Sequence, residues 1–140
     1  EERWTGIDDF QKPLPATVFG YREMADIAFA YRKTGKQARF DSAMAVLGAA
    51  NQQSLSQGMR GGGLLMVVGA QHAMAGEAEE ALKWLAQAID GGVITSSKIS
   101  KEYPYFREFD GNPEYEAIQT RMIEHLNRER AQLGLEPVST

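Results

Sequence analysis

Apolar side chains recur along most of this chain at intervals of three and four residues, the spacing that lines one side of an α-helix. Met24, Ile27, Ala28 and Tyr31 form the first stripe, within a helix predicted over Phe19 to Lys33 with Thr17 as its N-cap. Gly35 ends it, because glycine adopts the left-handed conformation of a helix C-terminal cap without a Cβ penalty. A second helix runs from about Gln37 into the fifties, with Phe40, Ala43, Met44 and Leu47 on one face. The segment Ser54 to Gly63, SLSQGMRGGG, breaks it. A third helix covers roughly Leu64 to Ala75, with Leu65, Val68, Gly69 and His72 as its stripe, and Gly76 stops it. Glu77 to Ile89 makes a fourth, with Ala81, Leu85 and Ala88 inward and acidic residues in the first turn that suit the helix dipole.

After Gly91-Gly92 the pattern loosens. Ile99 to Phe109 holds a short helix that Pro104 interrupts or starts. Asp110-Gly111 makes a turn, Asn112 caps, and Pro113 takes the first helical position, where its missing N–H costs nothing. The last helix reaches about Leu133, with Tyr115, Ile118, Met122 and Leu126 inward, and EPVST is expected to fray. Residues 1–16 lack a helical period, contain Pro13 and Pro15, and read as an irregular arm whose Trp4 and Phe10 can dock on the helices. No segment alternates as a strand does. The class predicted is all-α, with one domain over residues 17–140.

The first four helices contain an internal repeat. Met24 matches Leu65, Ile27 matches Val68, Ala28 matches Gly69 and Tyr31 matches His72. Gly35 then matches Gly76, Phe40 matches Ala81, Met44 matches Leu85 and Leu47 matches Ala88, all at an offset of 41 residues. Self-similarity at fixed spacing marks a stack of helical units, each with an apolar face that only a neighbour can cover. In each unit a small residue lets two helices approach, a planar one fills the adjoining gap, and a glycine makes the turn.

The order of Leu65, Gly69, His72, Gly76, Ala81, Leu85 and Ala88 resembles the tetratricopeptide repeat (TPR), and the Met24-to-Leu47 unit is similar, with Phe40 where a small residue is usual. The family period is ~34 residues, so the observed offset implies a second helix longer by about two turns. One further period brings Tyr103 and Phe106 to the small and planar positions and Asp110-Gly111 to the turn, a degenerate closing unit. The run EYPYFREFDGNPEYEAI also resembles the closing segment of bacterial TPR proteins that carry such repeats behind another domain. The resemblance implies a right-handed α-α superhelix of about six helices. Its repeats would span about 21–57 and 62–92, with a capping repeat at 97–134.

Composition narrows the chemistry. Apolar content of 43% and charged content of 24% are those of an ordinary globular domain. A net charge of −4 argues against a general nucleic-acid binder. The absence of cysteine removes disulfides, thiolate zinc sites and cysteine nucleophiles. No apolar run approaches the ~20 residues of a membrane span. These properties allow a cytoplasmic or a periplasmic location. The chain starts at Glu1 without a methionine, as expected of a piece, such as the C-terminal part, of a larger protein.

Chemical candidates are few. His72 has no carboxylate at i+3 or i+4 and stands where Tyr31 stands one unit earlier, so it is assigned to packing. His125 has Glu129 one turn on, but two ligands do not close a metal site. The glycine-rich run Gly58 to Gly63 lacks the following Lys-Ser or Lys-Thr of a phosphate-binding loop and reads as a hinge. No catalytic residue, metal or cofactor is predicted.

What remains is a surface. In TPR proteins the first helix of each pair lines a concave groove that binds a peptide or a partner's helix. Carried over position by position, the resemblance implies a groove of Arg22, Ala25, Phe29, Arg32 and Lys33, continued by Gly63, Met66, Ala70, Ala73 and Met74. The function implied is a non-catalytic protein-interaction scaffold, with self-association or small-ligand sensing as alternatives. The asparagines with which some members clamp a peptide's terminal carboxylate are absent from these positions.

Overall fold

The computed structural model describes residues 20–139. The arm at 1–16, its Trp4 and Phe10, and the expected cap at Thr17 lie outside the described residues.

The fold is all-α. In chain order the elements are α1 (Tyr21–Lys33), α2 (Gln37–Ser56), α3 (Gly62–Met74), α4 (Ala78–Asp90), α5 (Ile99–Glu102), a 3-10 helix (Pro104–Phe109) and α6 (Pro113–Gln132), with no strand among the described residues. The break expected over Ser54 to Gly63 is narrower than the composition suggests. Residues 54–56 still belong to α2, and two glycines already belong to α3, because apolar residues on both sides pull the helix ends inward.

Glycine fixes where the chain turns. At the end of α1, Gly35 has φ 70°, its N–H donates to the Arg32 carbonyl, and Lys36 N–H donates to the Tyr31 carbonyl at 3.0 Å. At the end of α3, Gly76 has φ 79°, its N–H donates to Ala73, and Glu77 N–H donates to His72 at 2.9 Å. This paired bonding satisfies two orphan carbonyls and needs a left-handed residue. The same closure recurs at Gly58, Gly92 and Gly134. The two hairpin turns thus have one geometry at the offset of 41 residues.

Three-residue connections and extensive packing make α1–α2 and α3–α4 antiparallel hairpins. Helix α2 has 20 residues and α4 has 13, so the second helix of the first hairpin is the longer by seven. Helix α3 is central, touching α1, α2, α4 and the 3-10 helix. It is accordingly buried on every side from Leu64 to Ala70, rather than along one stripe.

The third pair is degenerate. Pro104 splits its first helix into a single α-turn and a 3-10 segment, which places Phe106 against α3, where a Cβ on Gly69 would meet the Phe106 ring tip at 3.3 Å. Asn112 caps α6 by accepting hydrogen bonds from Glu114 N–H and Tyr115 N–H, at 2.9 and 3.2 Å. Tyr115, Ile118 and Met122 point into the core while Leu126 is half-buried. Within the tail expected to fray, Glu136 and Val138 are hydrogen-bonded to α6. After Gly134 the chain folds back along α6, where the Asn127 amide donates to the Val138 carbonyl and accepts from Val138 N–H at 3.0 and 2.8 Å. Arg130 donates to the Glu136 carbonyl beside it.

Candidate functional site

The C-terminal end of α1 and the 3-10 helix face each other across an open cleft of about 550 Å³, lined by Phe29, Arg32, Lys33, Pro104, Tyr105, Arg107 and Glu108. Its position follows from Pro104. Tyr105 and Phe106 are adjacent in a tight 3-10 turn, so their rings diverge, with Phe106 entering the core and Tyr105 turning toward α1. The Tyr105 ring meets Phe29 edge-to-face, centroids 5.4 Å apart and planes at 84°, a geometry worth about 0.5–1.5 kcal/mol beyond area burial.

A clasp holds the two walls together. The Tyr105 hydroxyl donates to the Asp26 carboxylate. Burial pushes the Tyr105 phenol well above its ordinary range, and the Asp26 hydrogen bond and charge push it further, so it stays a protonated donor. Arg22 stacks over Tyr103 at 4.3 Å and donates to the Glu102 carbonyl. Arg32 reaches sideways and donates to the Met74 carbonyl at 3.1 Å, satisfying an orphan acceptor at the end of α3. Lys33 lies 5.5 Å from the Phe29 ring centroid. The cleft therefore presents three cations and one carboxylate around two aromatic rings, in a chain whose net charge is −4.

Of the groove inferred from the sequence, the structure brings Phe29, Arg32 and Lys33 to the cleft, with Arg22 in the clasp beside it. The second half requires correction. Met66, Ala70, Ala73 and Met74 are buried, as is Ala25, and line no open surface. The cause is the third unit, whose aromatic 3-10 turn lies against α3. Small residues such as Gly69 allow that approach.

The packing positions are distributed as follows. Leu65, Gly69, Ala81, Leu85 and Ala88 lie in the core, and Gly35 and Gly76 make the exposed turns. His72 is half-buried, with Nδ1 3.3 Å from Glu77 Oε1. That carboxylate is five residues on, beyond the helical spacing considered for the sequence, and the Gly76 turn folds it back. Among the described residues, no group of three or more metal-ligating side chains converges.

Asp26, Tyr103, Tyr105 and Arg107 are site residues that the sequence pattern did not single out. The available signal was the aromatic run YPYF, set where a regular first helix should be. A proline there means the rings are aimed by a 3-10 turn, not by helical period. No family model, curated protein or solved structure matches the chain.

Proposed function

We propose that the chain is a TPR-like helical-repeat module whose task is protein recognition rather than catalysis, and that the cleft between α1 and the 3-10 helix captures an acidic, extended segment of a protein partner. The observation that carries this reading is the concentration of Arg32, Lys33 and Arg107 around the Phe29 and Tyr105 rings in a chain of opposite overall charge. The part-exposed Phe29 ring, backed by the buried Tyr105 ring, supplies rigid contact area and the cations supply orientation, the division of labour found in interface anchors. The repeat assignment is supported by the matched turns at Gly35 and Gly76.

Peptide display against the intact protein tests the proposal. Enriched peptides should pair Asp or Glu with an aromatic or aliphatic residue. The double variant Lys33→Glu with Arg107→Glu, both exposed side chains, should weaken their binding at least about tenfold, equivalent to about 1.4 kcal/mol. Enrichment of basic peptides, or undiminished binding by a folded double variant, would sink the cleft assignment.

A further inference from the structure

The cleft lies at the end of the molecule where the hairpins turn, and that end is electrically polarised. The Arg32 bond to the Met74 carbonyl sets the C-terminal ends of α1 and α3 side by side, so the Gly35 and Gly76 turns are neighbours. Arg107 and Glu108 share the cleft with Arg32 and Lys33, which brings the third turn to the same end. Around the first turn the exposed charges are Arg32, Lys33, Lys36 and Arg39 against the single carboxylate Asp41. Around the second are Glu77, Glu79 and the part-exposed Glu80, with Lys83 3.6 Å from Glu80 and His72 3.3 Å from Glu77 beside them. One edge thus runs from basic at the first hairpin to acidic at the second.

We infer that this turn edge pairs with the same edge of a second copy, related by a two-fold axis, so that the basic turn of each protomer meets the acidic turn of the other. An isologous contact must be self-complementary, and an edge carrying opposite charge at its two ends meets that condition when one copy is reversed. Charge complementarity of this kind sets register and speeds encounter, while the half-buried Phe29 and Pro104 supply apolar area between the two charged zones. A short acidic segment in the cleft engages only the basic half of the edge, whereas a second copy engages both halves. The inference rests on the reading of the cleft end as a contact surface, and it names a second copy of this chain as the occupant of the whole turn edge.

Sedimentation velocity from micromolar to submillimolar concentration, at low and high salt, reads the pairing directly. The wild-type chain should approach twice its monomer mass at low salt and dissociate at high salt, since exposed charges beyond a Debye length of about 8 Å are screened. Lys33→Glu with Lys36→Glu, and Glu79→Lys with Glu80→Lys, should each be monomeric with unchanged helicity. An equimolar mixture of the two should recover the doubled mass. A wild-type monomer at every concentration, a dimer indifferent to salt and to both variants, or a mixture that stays monomeric would overturn the inference. Binding of a labelled acidic peptide to the Glu79→Lys/Glu80→Lys variant, which keeps the cleft cations, separates this outcome from failure of the proposed function. A monomer that still binds the peptide loses only the dimer, whereas a dimer that ignores the peptide loses only the peptide site.

Discussion

The two hairpins carry the same pattern and bury it differently. Val68, Ala81 and Leu85 of the second hairpin are buried, whereas their counterparts Ile27, Phe40 and Met44 in the first are half-exposed. Their turns have the same bonding and the same left-handed glycine. Local geometry is therefore set inside each unit, while burial is set by neighbours. The second hairpin has the first on one side and the third pair on the other. Among the described residues, the first hairpin packs on the second through α1 and α2 and touches the third pair only through the clasp on α1, which leaves more of its face open.

Matched truncations give the largest test of that difference. Leu85→Ala removes a fully buried side chain from between α3 and its neighbours and should cost about 2–5 kcal/mol. Met44→Ala, at the matching position of the first hairpin, should cost about 1 kcal/mol, because its side chain is already part-solvated. Urea denaturation of both variants measures the gap. Equal losses would mean that the half-exposed face of the first hairpin is covered in solution.

Glycine substitutions sharpen the comparison at a smaller scale. Gly35→Ala and Gly76→Ala should each cost about 1–2 kcal/mol, since both positions have positive φ and nothing lies within 4 Å of an added Cβ. Gly69→Ala has a different cause of strain. Its Cβ would sit 3.3 Å from both the Ala81 carbonyl oxygen and the Phe106 ring tip, so the 3-10 helix must shift. A cost of about 1–3 kcal/mol is expected, with a change in near-ultraviolet circular dichroism from the displaced aromatics. The turn variants should leave that signal intact. If Gly69→Ala leaves it intact too, Phe106 is not held against α3 as described.

The same division explains what was legible in the sequence. The first four helices, the capping glycines and the Asn112–Pro113 start of α6 follow from period and local chemistry, whereas the single short helix expected over Ile99 to Phe109 is two elements. That Phe29, Arg32 and Lys33 share one helix end was legible as well, since they lie within five residues of helical period. The closed half of the groove was not. Whether Met66 and Ala70 face water depends on where the third unit lies, and Pro104 makes that placement irregular. The returning tail was likewise invisible, because Asn127 binds the main chain of Val138 and leaves no pattern in the tail's side chains.

The clasp supplies the smallest test, and one with a defined pH dependence. Tyr105 has its phenol raised in the folded state, first by burial and then by Asp26, against an ordinary value near 10.0. Burial raises Tyr31 and Tyr115 in the same direction. Below about pH 10 these groups are protonated in both states, and the clasp is fully formed. Above it the unfolded chain releases its phenolic protons more readily than the folded one, so stability falls as pH rises through that range. Tyr105→Phe should cost about 1 kcal/mol at neutral pH by removing one hydrogen bond. The difference between wild type and variant should then shrink as pH climbs past 10, because the variant no longer holds a proton there. Thermal melts of both proteins at pH 7, 9 and about 11 measure it. A difference that stays constant, or widens, would show that the Tyr105 hydroxyl is not the buried donor that closes the cleft wall onto Asp26.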